Sequence, residues 1–305
     1  MNGLSLSQFM ERFNDDNACA DHLFNLRWPG GFLCPQCGHD DYYFVQKRAL
    51  YQCKACKHQA SLTAGTIFHR HHVGLKKWFL AIYLISTDKR GYSALGLHRH
   101  LGGSYNTSWL MLHKIRAAMA HRDHTYKLFG YIQLDEAFFG GPNGKQGRGT
   151  EKSKVYVAVS ADEKGRPLYA KMQKVDKLNH LTALEFAQSC ISKGCTITSD
   201  KLNIYSELNK KGFTHIPVKS STAEADEMLK WVHILISNAK AAIIGTFHGL
   251  GEKHLQSYLD AFCYRFGRRT ATSIFGNLLA ACLKGPYVPL KVLVAANGGA
   301  AELTE

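Results

Sequence analysis

Cys34-Pro35-Gln36-Cys37 and, 15 residues later, Cys53-Lys54-Ala55-Cys56 form two C-x-x-C pairs in this sequence of 305 residues. Two thiolates in one tight turn can bind one ion, and two such turns complete the tetrahedral shell that zinc prefers. The intervening Tyr42-Tyr43-Phe44-Val45 and Leu50-Tyr51-Gln52 are typical of short strands. The spacing therefore predicts a structural zinc ribbon held by these four cysteines, and leaves open whether the ribbon binds DNA or protein.

The remaining cysteines have no paired spacing and are expected to be packing residues: Cys19, Cys190, Cys195, Cys263 and Cys282. No segment resembles a signal peptide, and no run approaches the roughly 18 apolar residues of a membrane-spanning helix. We therefore expect a cytoplasmic protein without a membrane partner, in a compartment where thiols remain reduced.

The composition is basic, with a formal net charge of +14, and 45% of the residues are hydrophobic, enough for a normal core. Nucleic acid is the usual partner for such an excess of positive charge. A basic ribosome-associated or membrane-associated protein, or simply a soluble basic one, would have the same composition.

The pattern along the chain predicts a multidomain α/β protein. The last large region alternates strand-like and helix-like stretches after a hairpin, which favours a mixed sheet flanked by helices. The expected parts are a helical lead-in (1–30), the zinc ribbon (31–66), a helical helix–turn–helix region (67–126), an α/β catalytic domain (127–285) and a C-terminal tail (286–305).

A helix–turn–helix candidate follows the ribbon. The amphipathic stretch from Tyr92 to Leu101 is broken by Gly102-Gly103-Ser104, and a second helix follows. In that plan the start of the second helix contacts the major groove, so the candidate DNA-binding residues are Ser104, Tyr105, Asn106 and Thr107. The alternative is an ordinary helical hairpin.

A glycine-rich basic loop, from Gly140 to Gly149, contains Lys145 and Arg148. It lacks the spacing and the Lys-Ser/Thr ending of a phosphate-binding loop. We interpret Lys145 and Arg148 as DNA-binding residues in a mobile loop, although a solvated turn has the same composition.

Two aspartates end apolar runs: Asp135 follows Tyr131-Ile132-Gln133-Leu134, and Asp200 follows Cys195-Thr196-Ile197-Thr198-Ser199. An acid at the end of a buried strand is costly unless it binds something. Carboxylates on adjacent strands could share Mg²⁺ or Mn²⁺ ions, which promote phosphodiester chemistry. A strand-end aspartate is also a common helix cap or turn former.

An ordered set of motifs resembles a family of bacterial insertion-sequence transposases, which have an N-terminal zinc ribbon and a ribonuclease-H-like catalytic domain of the DDE type. The similarity runs from about residue 20 to residue 280, and it rests on the ordered set rather than on any one motif. The matching stretches are Cys34–Gly38, Ser61–Phe68, Lys77–Ala81, Leu134–Glu136 with Gly140–Gly141, Ser199–Asp200 with Tyr205, Ser237–Lys240, Gly245–His248, Lys253–Asp260, Tyr264–Phe266 and Arg268–Arg269.

The resemblance implies that Asp135 and Asp200 are the first two acids of the catalytic triad. The third position departs from the common pattern, because no Asp or Glu occurs between Glu227 and Glu252. The family places its third residue seven before a lysine, which indicates His233 and Lys240, whereas some family branches use an asparagine, which would indicate Asn238. Helix geometry favours His233, because it shares a polar face with Lys240.

The resemblance also implies DNA contacts by Lys240, Arg265, Arg268 and Arg269. It implies a transposase that binds double-stranded transposon ends and target DNA, cuts and joins strands with Mg²⁺ or Mn²⁺, acts as a homodimer or higher oligomer, and associates with the nucleoid. The alternatives are a non-catalytic DNA-binding regulator on a degenerate nuclease fold and a structure-specific nuclease. The absence of a third acid favours the regulator, and the ribbon with a helix–turn–helix argues against the nuclease.

Overall fold

The computed structural model describes residues 3–70, 72–140, 152–219, 222–248 and 250–295. The chain divides into two compact units. Unit 1 comprises Met1–Arg122 with Ala271–Leu293, and unit 2 comprises Asp123–Thr270 with Val294–Glu305.

The regular elements lie along the chain in the following order: α1 (Leu6–Arg12), α2 (Asp16–Arg27), β1 (Tyr42–Val45), β2 (Leu50–Cys53), β3 (Gln59–Ser61), α3 (Leu75–Thr87), α4 (Ala94–Leu101), α5 (Tyr105–His124), β4 (Tyr131–Phe139), β5 (Ser153–Ala161), β6 (Pro167–Val175), α6 (His180–Cys190), β7 (Thr196–Asp200), β8 (Thr214–Val218), α7 (Ala223–Met228), α8 (Lys230–Phe247), α9 (Leu255–Gly267), α10 (Ile274–Lys284) and α11 (Leu290–Ala295). No helix among the described residues is long and apolar enough to cross a membrane.

The ribbon of unit 1 is an antiparallel sheet in the order β1-β2-β3. The strands β1 and β2 lie where the sequence predicted them, between the two cysteine pairs. Tyr42 is paired with Cys53 across β1 and β2, so the sheet connects directly to the second C-x-x-C turn.

The helices of unit 1 pack around a cluster of aromatic rings. The ring of Phe9 lies 4.4 Å from the ring of Tyr83 in α3 and 5.5 Å from that of Phe275 in α10. Buried aromatic rings dominate core energetics, so α10 belongs to the core of unit 1. The predicted 127–285 domain included the residues of α10, because a sequence pattern does not show against which core a segment packs.

Unit 2 is built on a mixed sheet in the order β6-β5-β4-β7-β8. The strands β4, β5 and β6 are antiparallel neighbours, while β7 is parallel to β4 and β8 is parallel to β7. A mixed sheet of this kind is what the resemblance to a ribonuclease-H-like domain implied, and the apolar run before Asp135 forms the first half of β4.

Both faces of this sheet are covered by helices. On one face, Val157 of β5 belongs to a buried cluster with Val232 of α8 and Leu259 of α9. On the other face, Tyr156 is buried with Phe186 of α6. Because β5 is buried on both sides, its sequence is a nearly continuous apolar run rather than an alternating one.

Candidate functional site

The two cysteine pairs of the ribbon form matching turns. The backbone N–H of Gly38 donates to the carbonyl of Cys34 (2.9 Å), and the N–H of Lys57 donates in the same way to Cys53 (3.2 Å). Gly38 and Lys57 both adopt left-handed backbone conformations, with φ of 75° and 60°. A lysine rarely adopts this conformation, so the second turn repeats the first at some cost in strain.

The four thiols of these turns converge as zinc ligands would. The Sγ atom of Cys34 is 3.6 Å from that of Cys56, and the Sγ atoms of Cys37 and Cys53 are also 3.6 Å apart. Sulfurs bound to zinc at about 2.3 Å in a tetrahedron are separated by about 3.8 Å, so the donor set fits zinc. Burial would raise the pKa of the Cys34 thiol, but hydrogen bonds from the N–H groups of Cys37 and Gln36 outweigh it and hold this pKa at about 7, which favours the thiolate.

In unit 2, parallel strands bring the two predicted aspartates to one edge of the sheet. The last paired residues of β4 and β7 are Leu134 and Ser199, and Asp135 and Asp200 follow them directly. One carboxylate oxygen from each of Asp135, Asp200 and the neighbouring Glu136 lies within 4.8 Å of the other two. The sequence predicted the two aspartates; it did not identify Glu136 as a member of the cluster.

Burial and the neighbouring negative charges destabilise the ionised form of Asp135. The pKa of Asp135 is raised to about 7, first by burial and then by the negative charges of Glu136 and Asp200, while the N–H of Glu136 and the charge of Lys240 act against this rise. Buried carboxylates that repel each other become stable when a cation shares them. The oxygen-rich donor set fits a divalent cation such as Mg²⁺ or Mn²⁺.

Helix α8 is fastened to β4 by the side chain of Gln133. Its Oε1 atom accepts hydrogen bonds from the backbone N–H groups of Trp231 (2.9 Å) and Val232 (3.0 Å). These are N–H groups that the first turn of a helix leaves without a helical partner. Gln133 lies two residues before Asp135 on the same face of the strand, so these bonds place the start of α8 beside Asp135. No local pattern around Gln133 indicates this role.

This attachment brings His233 to the carboxylates. Its Nε2 atom lies 3.4 Å from Oδ2 of Asp135. Lys240, two turns further along α8, lowers the pKa of Asp135 by its charge, and its Nζ atom lies 5.9 Å from the centre of the Phe139 ring. Asn238 is exposed and lies about 140° around the helix axis from His233. The geometry favours His233 over Asn238 as the third residue, which stays a prediction.

Two helices separated by a glycine turn lie where the helix–turn–helix candidate was expected. Helices α4 and α5 are joined at Gly102 and Gly103, whose φ angles of 65° and 80° suit glycine. Ser104, Tyr105 and Asn106 are exposed and Thr107 is half-buried, whereas residues 111–116 of α5 are buried. The first turn of α5 is therefore exposed, and this is the end that contacts bases in such motifs.

The basic residues expected near DNA have different placements. Lys145 and Arg148 lie outside the described residues. Arg265 is partly buried in α9. Arg269 donates to the backbone carbonyls of Pro167 and Leu168, at the start of β6, and so stabilises the sheet.

Arg268 is engaged inside unit 2. Its guanidinium lies 2.7 Å from Oδ1 of Asp123, and the two side chains are only 11% and 5% exposed. It also stacks on the ring of Tyr264, 3.6 Å from the ring centre. A buried guanidinium paired in this way is unavailable to a phosphate, so the placement does not support the DNA contact expected for Arg268.

Comparisons with known proteins match both parts of the chain. The family model of an ISXO2-like transposase domain matches residues 127–267, and that of a transposase zinc-ribbon domain matches residues 14–59. A protein from Halobacterium salinarum, described as an uncharacterized protein in transposable element ISH50, is 29% identical over 168 residues, which cover 53% of this chain and 53% of the relative. The chain thus spans about half the length of this curated relative.

Solved structures show more distant similarity. The catalytic core domain of BIV integrase is 13% identical, with a TM-score of 0.29 over 43% of this chain and 80% of that chain. A pre-cleavage Mos1 transpososome is 11% identical, with a TM-score of 0.25 over 68% of this chain and 79% of that chain. The two family models together cover more than half of the chain, including its cysteine quartet and its carboxylate edge. Residues 14–59 therefore belong to the transposase zinc-ribbon family and residues 127–267 to the ISXO2-like transposase domain family, the two parts expected of the insertion-sequence transposases that the sequence resembles.

Proposed function

We propose that this protein binds the double-stranded ends of its own element and catalyses metal-dependent cleavage and joining of DNA strands, acting as a dimer or higher oligomer. The observation that carries the proposal is the meeting of Asp135 and Asp200 at one edge of the sheet, inside the span matched by the transposase domain. The oligomer is what the family resemblance implies, because two element ends must be brought together.

The residues around this edge have separable roles in the proposed reaction. Asp135 and Asp200 would hold the divalent cations, which would activate the attacking oxygen and stabilise the leaving oxygen of a phosphodiester. His233 is the third residue of the site, and Lys240 binds a backbone phosphate near the cut. Unit 1 holds the DNA: the exposed first turn of α5 meets the groove, and the ribbon contacts DNA or a partner.

The reaction proceeds by two successive in-line displacements. Water attacks a phosphorus atom at the element end, a new P–O bond forms, and the bond to the 3′ oxygen breaks to leave a 3′-hydroxyl. This hydroxyl then attacks a phosphorus atom in target DNA, joining the two and releasing a target 3′-hydroxyl. In each step one P–O bond forms and one breaks. The attacking groups are water and a DNA hydroxyl, so no covalent link between protein and DNA is required.

The test uses the full-length protein and a duplex that contains the DNA flanking its own gene. In Mn²⁺ we expect nicks at the element boundary and joining of the 3′ end to a plasmid target. Asp135→Ala should abolish both products and leave the gel shift of the end duplex intact, while the exposed Glu163→Ala should behave as the wild type.

A wild-type protein that binds the ends and yields no nick in Mn²⁺ or Mg²⁺ would contradict the proposal. That result would favour the non-catalytic regulator, the alternative motivated by the absence of an acid between Glu227 and Glu252. Nicking that persists in Asp135→Ala would place the chemistry elsewhere.

A further inference from the structure

Glu136 occupies an unusual position in the carboxylate cluster. Neighbouring residues of a strand face opposite sides of the sheet, and here Asp135 faces His233 of α8 while Glu136 faces the buried Tyr205 on the other side. A carboxylate oxygen of Glu136 nevertheless lies within 4.8 Å of one from Asp135 and one from Asp200. The pairing of β4 with β7 stops at Leu134, and the longer side chain of glutamate reaches the edge from the far face.

The carboxylate of Glu136 is held in place by Tyr205. The Tyr205 hydroxyl donates a hydrogen bond of 2.9 Å to Oε2 of Glu136. The Tyr205 side chain is 0% exposed, and its ring centre lies 6.4 Å from that of Tyr156 and 6.3 Å from that of His215. A donor that is fixed by core packing orients the carboxylate that it binds.

The number of negative charges at this edge also favours a further carboxylate ligand for the cation. Helix α8 offers His233 where the common family pattern has an acid, so a site of two aspartates and one imidazole would carry one negative charge fewer. Hard divalent cations bind carboxylate oxygens in preference to imidazole nitrogen. Glu136 is placed to supply that charge from the strand, because its carboxylate lies within 4.8 Å of those of Asp135 and Asp200.

We propose that Glu136 is the third carboxylate ligand of the divalent-cation site, that Tyr205 positions it, and that His233 approaches the same site from the opposite face of the sheet. This inference rests on the proposed function, because a cation site has a role here only if the edge performs metal-dependent chemistry. It differs from the common pattern in placing two adjacent residues of one strand on the same cation site.

The experiment measures Mn²⁺ binding to the full-length, zinc-loaded protein without DNA, from the loss of the free-Mn²⁺ signal in electron paramagnetic resonance. Glu136→Gln keeps the size of the side chain and removes its charge, and it should weaken Mn²⁺ binding by at least about 10-fold. Tyr205→Phe removes only the orienting hydroxyl and should weaken it by about 10-fold. The control Glu163→Gln removes the same charge from an exposed turn of unit 2 and should bind as the wild type.

A second variant guards against a folding defect. Glu136→Asp keeps the charge but withdraws it by one methylene, so it should bind Mn²⁺ more weakly than the wild type and more tightly than Glu136→Gln. If Glu136→Gln binds as tightly as the wild type while Asp135→Asn loses binding, the inference is overturned and the proposed function stands. A wild-type protein that binds no Mn²⁺ and cuts no DNA would overturn both.

Discussion

The cysteine site of unit 1 and the carboxylate site of unit 2 are built in opposite ways. The four cysteines lie between residues 34 and 56, and each pair belongs to a single turn. Asp135 and Asp200 lie on different strands, and they meet only because β4 and β7 are parallel neighbours. A site formed by local turns can be predicted from spacing, whereas a site formed by a sheet depends on the correct topology.

The two sites also differ in how many coordination positions of the metal ion the protein leaves open. Four thiolates fill a tetrahedral shell, which is the arrangement of structural zinc sites. The carboxylate edge has fewer protein ligands than the shell of a hard divalent cation, so positions remain for water and phosphate oxygens. The contrast predicts that damage to the first site affects folding and damage to the second affects chemistry.

The largest expected effect is loss of the ribbon on removal of zinc. Cys34→Ser should lose about one zinc ion per chain, because the apparent free energy of zinc binding to small finger domains is about 10–16 kcal/mol and is coupled to their folding. Elemental analysis measures the zinc, and limited proteolysis should show new cleavage between residues 32 and 61. Cys195→Ala, which alters a buried cysteine of unit 2, should retain its zinc; full zinc content in Cys34→Ser would contradict this account of the ribbon.

The next effect is on catalysis alone. Asp200→Asn should lower the rate of strand cleavage in Mn²⁺ by at least about 10²-fold, a loss typical of removing a group that stabilises transition-state charge. Zinc content and the proteolysis pattern of the ribbon should remain unchanged. The exposed Asp226→Asn in the same unit is the matched control, and an equal loss in that variant would show that general charge, not this edge, sets the rate.

A smaller effect concerns stability and pH. The pKa of Asp135 is raised from 3.8 to about 7 in the folded protein, so the folded state binds the proton more tightly than the unfolded state. The stability this contributes is present below pH 3.8 and is lost as pH rises through about 7. Without added divalent cation, Asp135→Asn should therefore melt about 2–4 °C above the wild type at pH 8, the shift that about 1 kcal/mol produces in a domain of this size.

Calorimetry at pH 5 and pH 8 checks this difference. The advantage of Asp135→Asn should shrink at pH 5, where the wild-type carboxyl is mostly protonated, and it should reverse when Mn²⁺ is added at pH 8. A variant that melts below the wild type at pH 8 without cation would show that the ionised Asp135 carboxylate does not destabilise the folded state.

The smallest expected effect separates His233 from Asn238. A neutral imidazole binds Mg²⁺ less readily than a carboxylate does, so His233→Glu should raise activity in Mg²⁺ relative to Mn²⁺ by several-fold. Asn238→Ala should leave this ratio unchanged, because Asn238 lies on another part of the helix surface. If Asn238→Ala alters the metal preference and His233→Glu does not, the assignment of the third residue is reversed.

Much of the fold was predictable because its signals are local. Strand-like composition and spacing placed β1 and β2 between the cysteine pairs, and the glycine pair placed the break between α4 and α5. The docking of α10 was not predictable, since the aromatic cluster it joins is formed by helices at the other end of the chain.

The same distinction holds within the carboxylate site. Asp135 and Asp200 could be predicted because each ends an apolar run. Gln133 and Glu136 could not, because Gln133 acts on backbone groups 98 and 99 residues away, and Glu136 is fixed by a tyrosine 69 residues away. A polar residue in a strand has no sequence signature for a partner at that distance.

The most direct test of the two-site account is anomalous X-ray scattering from one crystal of the full-length protein grown with Mn²⁺. At the zinc edge we expect one peak about 2.3 Å from each of the four ribbon sulfurs. At the manganese edge we expect a peak coordinated by carboxylate oxygens of Asp135 and Asp200. Manganese found only away from these aspartates, or no zinc among the cysteines, would contradict the account.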